Sequence, residues 1–499
     1  MEAESQVAPV LHRRFATQVA FVIVVYVALR LVEWVLSLPT IVGPDSHGYL
    51  PGAGLRVPDN GYVGFEKVSF TGDGVIRPWT VALPYALLLT DYFRSIFQLA
   101  LSIAAFLLLA FALMRVTRDR VLGWILVAIT LAFSCTTVVA SWDMLLNRES
   151  LSNSLTVAFL ALALLSTRYR GYTLYLLVIA NAVLLLITRP TLGPLVALVL
   201  VALIVGRVFE ARTKRASTGA YPPATILRGI LAVVLAVFAL AYPAIYSVRL
   251  DASWTEWYDQ TMSETQFGYV VSDYNPQAAA IIAELAKDAP ACLIAELPVY
   301  TGEYVGAPWG FAAHMRADCP GFAEWYQGNW PRWYYAFMAG HPGYDARVGL
   351  SGMRLALQPW EPTKAISPLP GPLRDAMFPV EAHDGLATYD PIYFYWSVVA
   401  AFAVVAFAGS RRWAWNYTRR HSKAVALGFA VVVGCVGSIF VNLLLIPSYP
   451  LETNRINVST TLALRLTGIL LAAFATGRAI ELLRRRSKAG SAAAPKASP

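Results

Sequence analysis

The residues with the most chemistry in this chain stand just outside its apolar runs. Pro44-Asp45-Ser46-His47-Gly48-Tyr49-Leu50 brings a carboxylate, a hydroxyl, an imidazole and a phenol together in one short stretch. A carboxylate so placed takes a proton from an incoming hydroxyl. Asp45 is therefore the candidate base, and His47 and Tyr49 are candidates for orienting a substrate. Three further stretches share the pattern. Trp142-Asp143-Met144-Leu145-Leu146-Asn147-Arg148-Glu149-Ser150 carries two carboxylates and a guanidinium, Arg189 opens a tight turn, and Glu452-Thr453-Asn454-Arg455 precedes the last apolar run. Guanidinium forks hold phosphate bidentately and never lose their charge. Arg148, Arg189 and Arg455 are thus candidate phosphate contacts, and Glu149 and Glu452 candidate orienting groups. Each has a plainer reading. An Arg at a span end anchors in lipid headgroups, a lone Asp in a loop is solvated, and Glu452 and Arg455 can pair within one helical turn. Their grouping on one side of a membrane is what favours a site.

The elements that must position these residues are membrane helices. The chain has 499 residues, 57% apolar and only 14% charged, with a mean hydropathy of +0.52. Soluble domains carry about 25% charge, so this is a multi-pass membrane protein. Apolar runs fall at 15–38, 95–114, 121–140, 151–166, 173–188, 191–207, 229–248, 392–409, 424–446 and 459–480, which makes ten expected spans. The fourth and fifth are short. No small-residue cleavage motif follows the first run, so it reads as an uncleaved anchor. Within it, Arg30 and Glu33 lie three apart and read as a local ion pair near the membrane edge. Apart from Arg465, mid-span positions look almost free of charge.

Charge position supports the count. With both ends in the cytoplasm, the inner segments hold 22 of the 40 basic residues and few acidic ones, the bias that orients membrane helices. The net charge of +9 therefore reports topology, not nucleic acid. Extracytoplasmic segments are then 39–92, 141–150, 189–190, 249–391 and 447–458. The short apolar piece 80–90 in the first of these reads as an interfacial or partly inserted helix.

Four regions follow: a seven-span module at 1–248 with its first outer loop at 39–92, an extracytoplasmic domain at 249–391, a three-span module at 392–486, and a disordered cytoplasmic tail at 487–499. In the outer domain, 276–288 reads as an amphipathic helix behind a proline. Aromatic residues crowd 321–340 and either line a sugar-binding groove or form the core of that domain or a belt at the interface. Cys135 and Cys435 lie in apolar runs and read as buried small hydrophobes. Cys292 and Cys319 can pair if their region meets an oxidising compartment. No C-x-x-C or H-E-x-x-H spacing occurs, so no metal ligands are named, and a divalent metal is left open.

In these features the chain resembles the GT-C superfamily of integral-membrane glycosyltransferases, which includes protein O-mannosyltransferases, the aminoarabinose transferases of lipid A, and actinobacterial arabinosyl- and mannosyltransferases. The resemblance rests on Asp45 just after the first span with Tyr49 four residues on, on Asn147-Arg148-Glu149-Ser150-Leu151-Ser152 before the fourth span, and on Glu452-x-x-Arg455 before a late span. It covers about residues 1–210 and 392–480, and leaves 249–391 unassigned. It implies a polyprenyl-phosphate-linked sugar as donor, used on the extracytoplasmic face, and inversion at the anomeric carbon with Asp45 as base or acceptor-orienting group. Asp59 and Asp73 stand in less typical contexts, which weakens any metal site of the oligosaccharyltransferase kind.

The expectation is an all-α, ten-span, GT-C-like enzyme of the bacterial plasma membrane, moving a sugar to a hydroxyl on a glycan, lipid or protein acceptor. Its partners are the bilayer and the lipid-linked sugar, with no nucleic acid. The competing readings are a lipid-linked-sugar flippase or other transporter, which predicts charges at mid-membrane depth; a polysaccharide ligase or polymerase with a lipid-pyrophosphate donor; and an inactive assembly subunit.

Overall fold

The protein is seen in a computed structural model that describes residues 2–37, 79–88, 91–117, 119–169, 171–218, 277–303, 317–344, 412–445 and 457–477, with shorter pieces at 234, 267–268, 270–271, 314–315, 346–347, 353, 356–357, 368–372, 380–383 and 386–389. Asp45, His47, Tyr49, Glu452 and Arg455 lie outside the described residues. So do the expected span 392–409, the expected span 229–248 except for residue 234, and the tail.

Helices dominate, as hydrocarbon requires, because each backbone N–H and C=O must be satisfied within its own segment there. In chain order they are α1 (Glu2–Leu36), α2 (Trp79–Leu87), α3 (Asp91–Val116), α4 (Arg120–Ser134), α5 (Thr137–Met144), α6 (Arg148–Arg168), α7 (Tyr172–Thr188), a 3-10 turn (Pro190–Leu192) and α8 (Gly193–Thr218). The region after them contributes α9 (Ala278–Leu285), α10 (Ala291–Glu303), α11 (Phe322–Gly340) and a small antiparallel hairpin, β1 (Val380–His383) with β2 (Leu386–Tyr389), in which Val380 faces Tyr389. Two long helices close the chain, α12 (Arg412–Leu445) and α13 (Asn457–Gly477).

Among the described residues, five helices are long and apolar enough to cross a membrane: within α1, α3, α6, α12 and α13. A sixth crossing arises if α4 and α5, bent by 51°, count as one. Tyr172–Thr188 and Pro190–Gly206 are apolar but shorter. The expected straight span at 121–140 is thus corrected to a broken one that runs on to Met144. No proline or glycine sits at the break. Instead, Ser134 Oγ donates to Leu131 O (2.7 Å) and Thr136 Oγ to Phe133 O (2.7 Å). Such back-bonding competes with the helical ladder and bends it.

Hydrogen bonds set the direction of each helix. Arg168 at the end of α6 donates to the carbonyl of Arg115 at the end of α3, while Gln98 near the start of α3 donates to Asn147 O at the start of α6 (3.1 Å), so these two run parallel. The N–H of Leu195 at the start of α8 donates to Ser438 Oγ near the end of α12 (3.1 Å), so these two run antiparallel. A Cβ added at Gly434 would lie 2.8 Å from Leu195 Cα; glycine is what lets these backbones approach. At the α6–α13 contact, Ser152 and Ser459 hydroxyls meet at 2.6 Å, and Ser459 Oγ also donates to Asn153 Oδ1 (2.6 Å).

The outer region builds its own core. Phe322, Trp325, Tyr326, Trp330 and Tyr334 lie on one face of α11, buried with Phe267, Ile281, Leu285, Leu293 and Leu297. Of the readings open for the aromatic stretch, this is the domain core. Cys292 and Cys319 form a disulfide with Cα atoms 5.5 Å apart. One piece of this region joins the main helical core. Ala356 and Leu357 are buried in the main helical core, where Thr461 Oγ donates to Ala356 O (2.8 Å) and Arg465 Nη2 to Leu357 O (3.1 Å).

Candidate active site at one end of the bundle

α1 has a pattern that water-soluble helices reverse. Phe21, Val24, Val32 and Val35 are exposed, whereas Tyr26, Arg30, Glu33 and Ser37 are buried. The apolar side faces lipid and the polar stripe, at spacings of four, three and four, faces protein. α3 repeats this with Arg94, Gln98 and Ser102 buried.

The stripe on α1 meets the break between α4 and α5. The bend leaves the Ser134 carbonyl without its next helical partner, and the guanidinium of Arg30 donates to it. A cation at a helix C-terminus also matches the helix dipole. The same guanidinium binds Glu33 (Nη1 to Oε2, 2.7 Å) and Asp143 Oδ2. Ser150 Oγ donates to Asp143 Oδ1 (3.1 Å), and Ser134 Oγ, whose proton goes to Leu131 O, accepts from the Tyr26 hydroxyl (2.8 Å). Arg30 and Glu33 therefore pair as the sequence predicts, but the pair is not purely local: both residues are buried and share Asp143 as a third member. Asp143, expected in an extracytoplasmic loop at 141–150, sits in α5 and is buried. Toward the ends of these apolar segments Arg30, Glu33 and Arg94 are buried, and Arg465, the expected mid-span charge, is buried as well.

A second cluster lies on the next turn of chain. Asn147 caps α6, its Oδ1 accepting from the N–H of Arg148 (2.7 Å). Glu149 then falls in the first turn, where the dipole favours a carboxylate. Arg189, at the end of α7, donates from Nη1 to Glu149 Oε1 (2.9 Å), and Arg148 Nε lies 3.5 Å from the same oxygen. Arg189 and Glu149 are buried, but the Arg148 side chain is 26% exposed. Glu149 Oε2 has no hydrogen-bond partner among the described residues.

The helices that flank residues 38–78 are fastened beside this cluster. The loop leaves α1 four residues after Glu33, whose partner Arg30 holds Asp143. It returns through α2, where the Thr188 hydroxyl donates to that of Thr80 (2.9 Å) and the Tyr85 hydroxyl donates to Asn147 O (3.4 Å). Arg94 Nε donates to Tyr85 O (2.9 Å). The short helix expected at 80–90 is thus present and packed into the bundle, with Val81 fully buried.

Of the residues singled out in the sequence, the structure brings together Arg148, Glu149 and Arg189. Asp45, His47, Tyr49, Glu452 and Arg455 belong to segments outside the described residues, one beginning after α1 and the other ending at α13. Sequence reasoning missed Tyr26, Arg94, Gln98 and the joining of Asp143 to Arg30. The available signal was the helical spacing of polar residues inside otherwise apolar runs. Among the described residues no group of three or more His, Cys, Asp and Glu side chains is placed to hold a metal.

Comparison of the chain with protein-family models, with curated proteins and with solved structures finds no match.

Proposed function

We propose that this end of the bundle transfers a sugar from a polyprenyl-phosphate donor to a hydroxyl acceptor, as the resemblance to GT-C glycosyltransferases implies. One observation carries the reading: the helices on either side of the stretch that bears Asp45, α1 and α2, are fastened beside a cluster of Arg148, Glu149 and Arg189. Arg148, with its exposed edge, contacts the donor phosphate, together with Arg455. Arg189 holds Glu149 by Oε1 and leaves Oε2 to accept a hydrogen bond from a substrate hydroxyl. Asp45 takes the proton of the acceptor hydroxyl as its oxygen bonds to the anomeric carbon. The bond from that carbon to phosphate oxygen breaks, configuration inverts, and the lipid phosphate leaves on the arginines. No step calls on a metal. The disulfide in the outer region fits an oxidising, extracytoplasmic setting.

The test uses the full chain in proteoliposomes with a polyprenyl-phosphate hexose and a hydroxyl acceptor. Asp45→Asn should abolish transfer and leave the melting temperature unchanged. Full transfer by that variant rules the mechanism out.

A second reading has an observation of its own. Buried intramembrane charges such as Arg30, Glu33 and Asp143 are what a transporter of lipid-linked sugars would display. Sealed liposomes separate the two. A transporter makes the lipid-linked sugar accessible on both leaflets with no glycosidic bond formed, whereas the enzyme consumes it only when acceptor is present.

A further inference from the structure

At the opposite end of the bundle, α3, α4, α6, α12 and α13 surround a cleft enclosing about 110 Å³. That is of the order of the ~150 Å³ apolar cavity that admits benzene. Its walls are apolar, from Leu109 and Leu113 on α3 to Leu470 and Phe474 on α13, with polar side chains only at Thr117 and Thr467. Its rim is basic. Arg115 adjoins Val116 of the wall, Lys423 adjoins Ala424, and Arg168 lies one turn beyond Leu164.

The two arginines are held against each other. Arg168 donates to the Arg115 carbonyl, its guanidinium lies 6.0 Å from the Tyr169 ring, and that of Arg115 lies 5.0 Å from the Phe111 ring. Neither is matched with a carboxylate among the described residues. The one acid in Arg115–Arg120 is Asp119, and its carboxylate is engaged in capping α4, accepting from Val121 N (2.9 Å) and Leu122 N (3.1 Å). Each guanidinium has five N–H donors, so donors remain after these contacts. Like charges gathered at the mouth of an apolar cleft complement a ligand with an anionic head and a hydrocarbon tail.

We infer that this cleft is a binding site for an anionic glycerophospholipid of the leaflet at that end. A segment of one acyl chain lies in the cleft, and the headgroup phosphate rests on Arg115, Arg168 and Lys423. The sugar donor does not serve both ends at once through its phosphate. α6 separates Arg148 from Arg168 by twenty residues, about 30 Å at 1.5 Å per residue.

The experiment is native mass spectrometry of the full chain released from nanodiscs of mixed phosphatidylglycerol and phosphatidylcholine, counting retained lipid. Each basic residue near a membrane surface favours anionic lipid about fivefold. The wild type should therefore retain one phosphatidylglycerol at least about tenfold over phosphatidylcholine. Arg115→Gln/Arg168→Gln/Lys423→Gln should equalise the two, and Thr467→Phe, which fills the cleft from a partly exposed position, should lose both. Equal retention of the two lipids by the wild type overturns the inference. So does a preference for phosphatidylglycerol that survives the triple substitution, or a retained lipid whose mass is that of a polyprenyl phosphate. Should Thr467→Phe fail to fold, the charge variant decides alone.

Discussion

Two ion clusters sit side by side at the same end of the bundle and differ in their exposure. Around Arg30 there are two carboxylates, Glu33 and Asp143, for one guanidinium. Around Glu149 there are two guanidiniums, Arg148 and Arg189, for one carboxylate. Seven residues of α5, its exit and the start of α6 join them, through Asp143 and Ser150. The first cluster is sealed: none of its side chains is more than 2% exposed, and it also caps a broken helix. The second is open at Arg148. The contrast supports the proposed roles, architecture for the first and ligand binding for the second, because only an accessible cluster can be reached by an anion from outside.

The comparison can be broken by substitution, and the expected effects on stability run from large to small. Arg30→Leu strands two buried carboxylates and leaves the Ser134 carbonyl unanswered, so about 3–5 kcal/mol of stability should go, seen as a lowered unfolding midpoint in detergent. Replacing Arg30, Glu33 and Asp143 together by Leu should recover much of that loss, since buried ion groups exchange well for packed hydrophobes. Arg189→Leu should cost less, about 1–3 kcal/mol, because Arg148 stays 3.5 Å from Glu149. Glu33→Gln removes the excess negative charge of the sealed cluster and should shift the midpoint by less than about 1 kcal/mol. Arg148→Gln should hardly move stability, within about 0.5 kcal/mol. It should instead weaken donor binding tenfold to a hundredfold, the worth of about 1.5–3 kcal/mol for a charge-assisted hydrogen bond. If Arg148→Gln unfolds the protein as readily as Arg30→Leu, or if donor affinity follows Arg30 and ignores Arg148, the two clusters have been assigned the wrong way round.

Much of the helical framework was legible in the sequence. The described helices at 17–36, 92–116, 148–168, 423–443 and 457–477 coincide with apolar runs, because an uninterrupted apolar segment is a local property of the chain. The caps at Asn147 and Asp119 are equally local. The break near Cys135 was not legible: Ser134, Thr136 and Thr137 are tolerated in straight helices, and what stabilises the bend is Arg30, more than a hundred residues earlier. The stretch 141–150 read as a loop for a related reason. Its Asp and Glu resemble solvated residues until their partners on α1 and α7 are known.

The sequence by itself determined that this is a helical membrane protein and which carboxylates and guanidiniums stand just outside its apolar runs. It also located the aromatic helix α11 and the two cysteines that pair. These follow from composition and from contacts between near neighbours. Only the tertiary structure decided which charge meets which: Arg30 with Asp143, Arg189 with Glu149, Arg465 with the Leu357 carbonyl. In a medium without water a buried ion must find its counterpart inside the protein. That counterpart is chosen by how the helices pack, across separations of 113, 40 and 108 residues for which no local pattern is a guide.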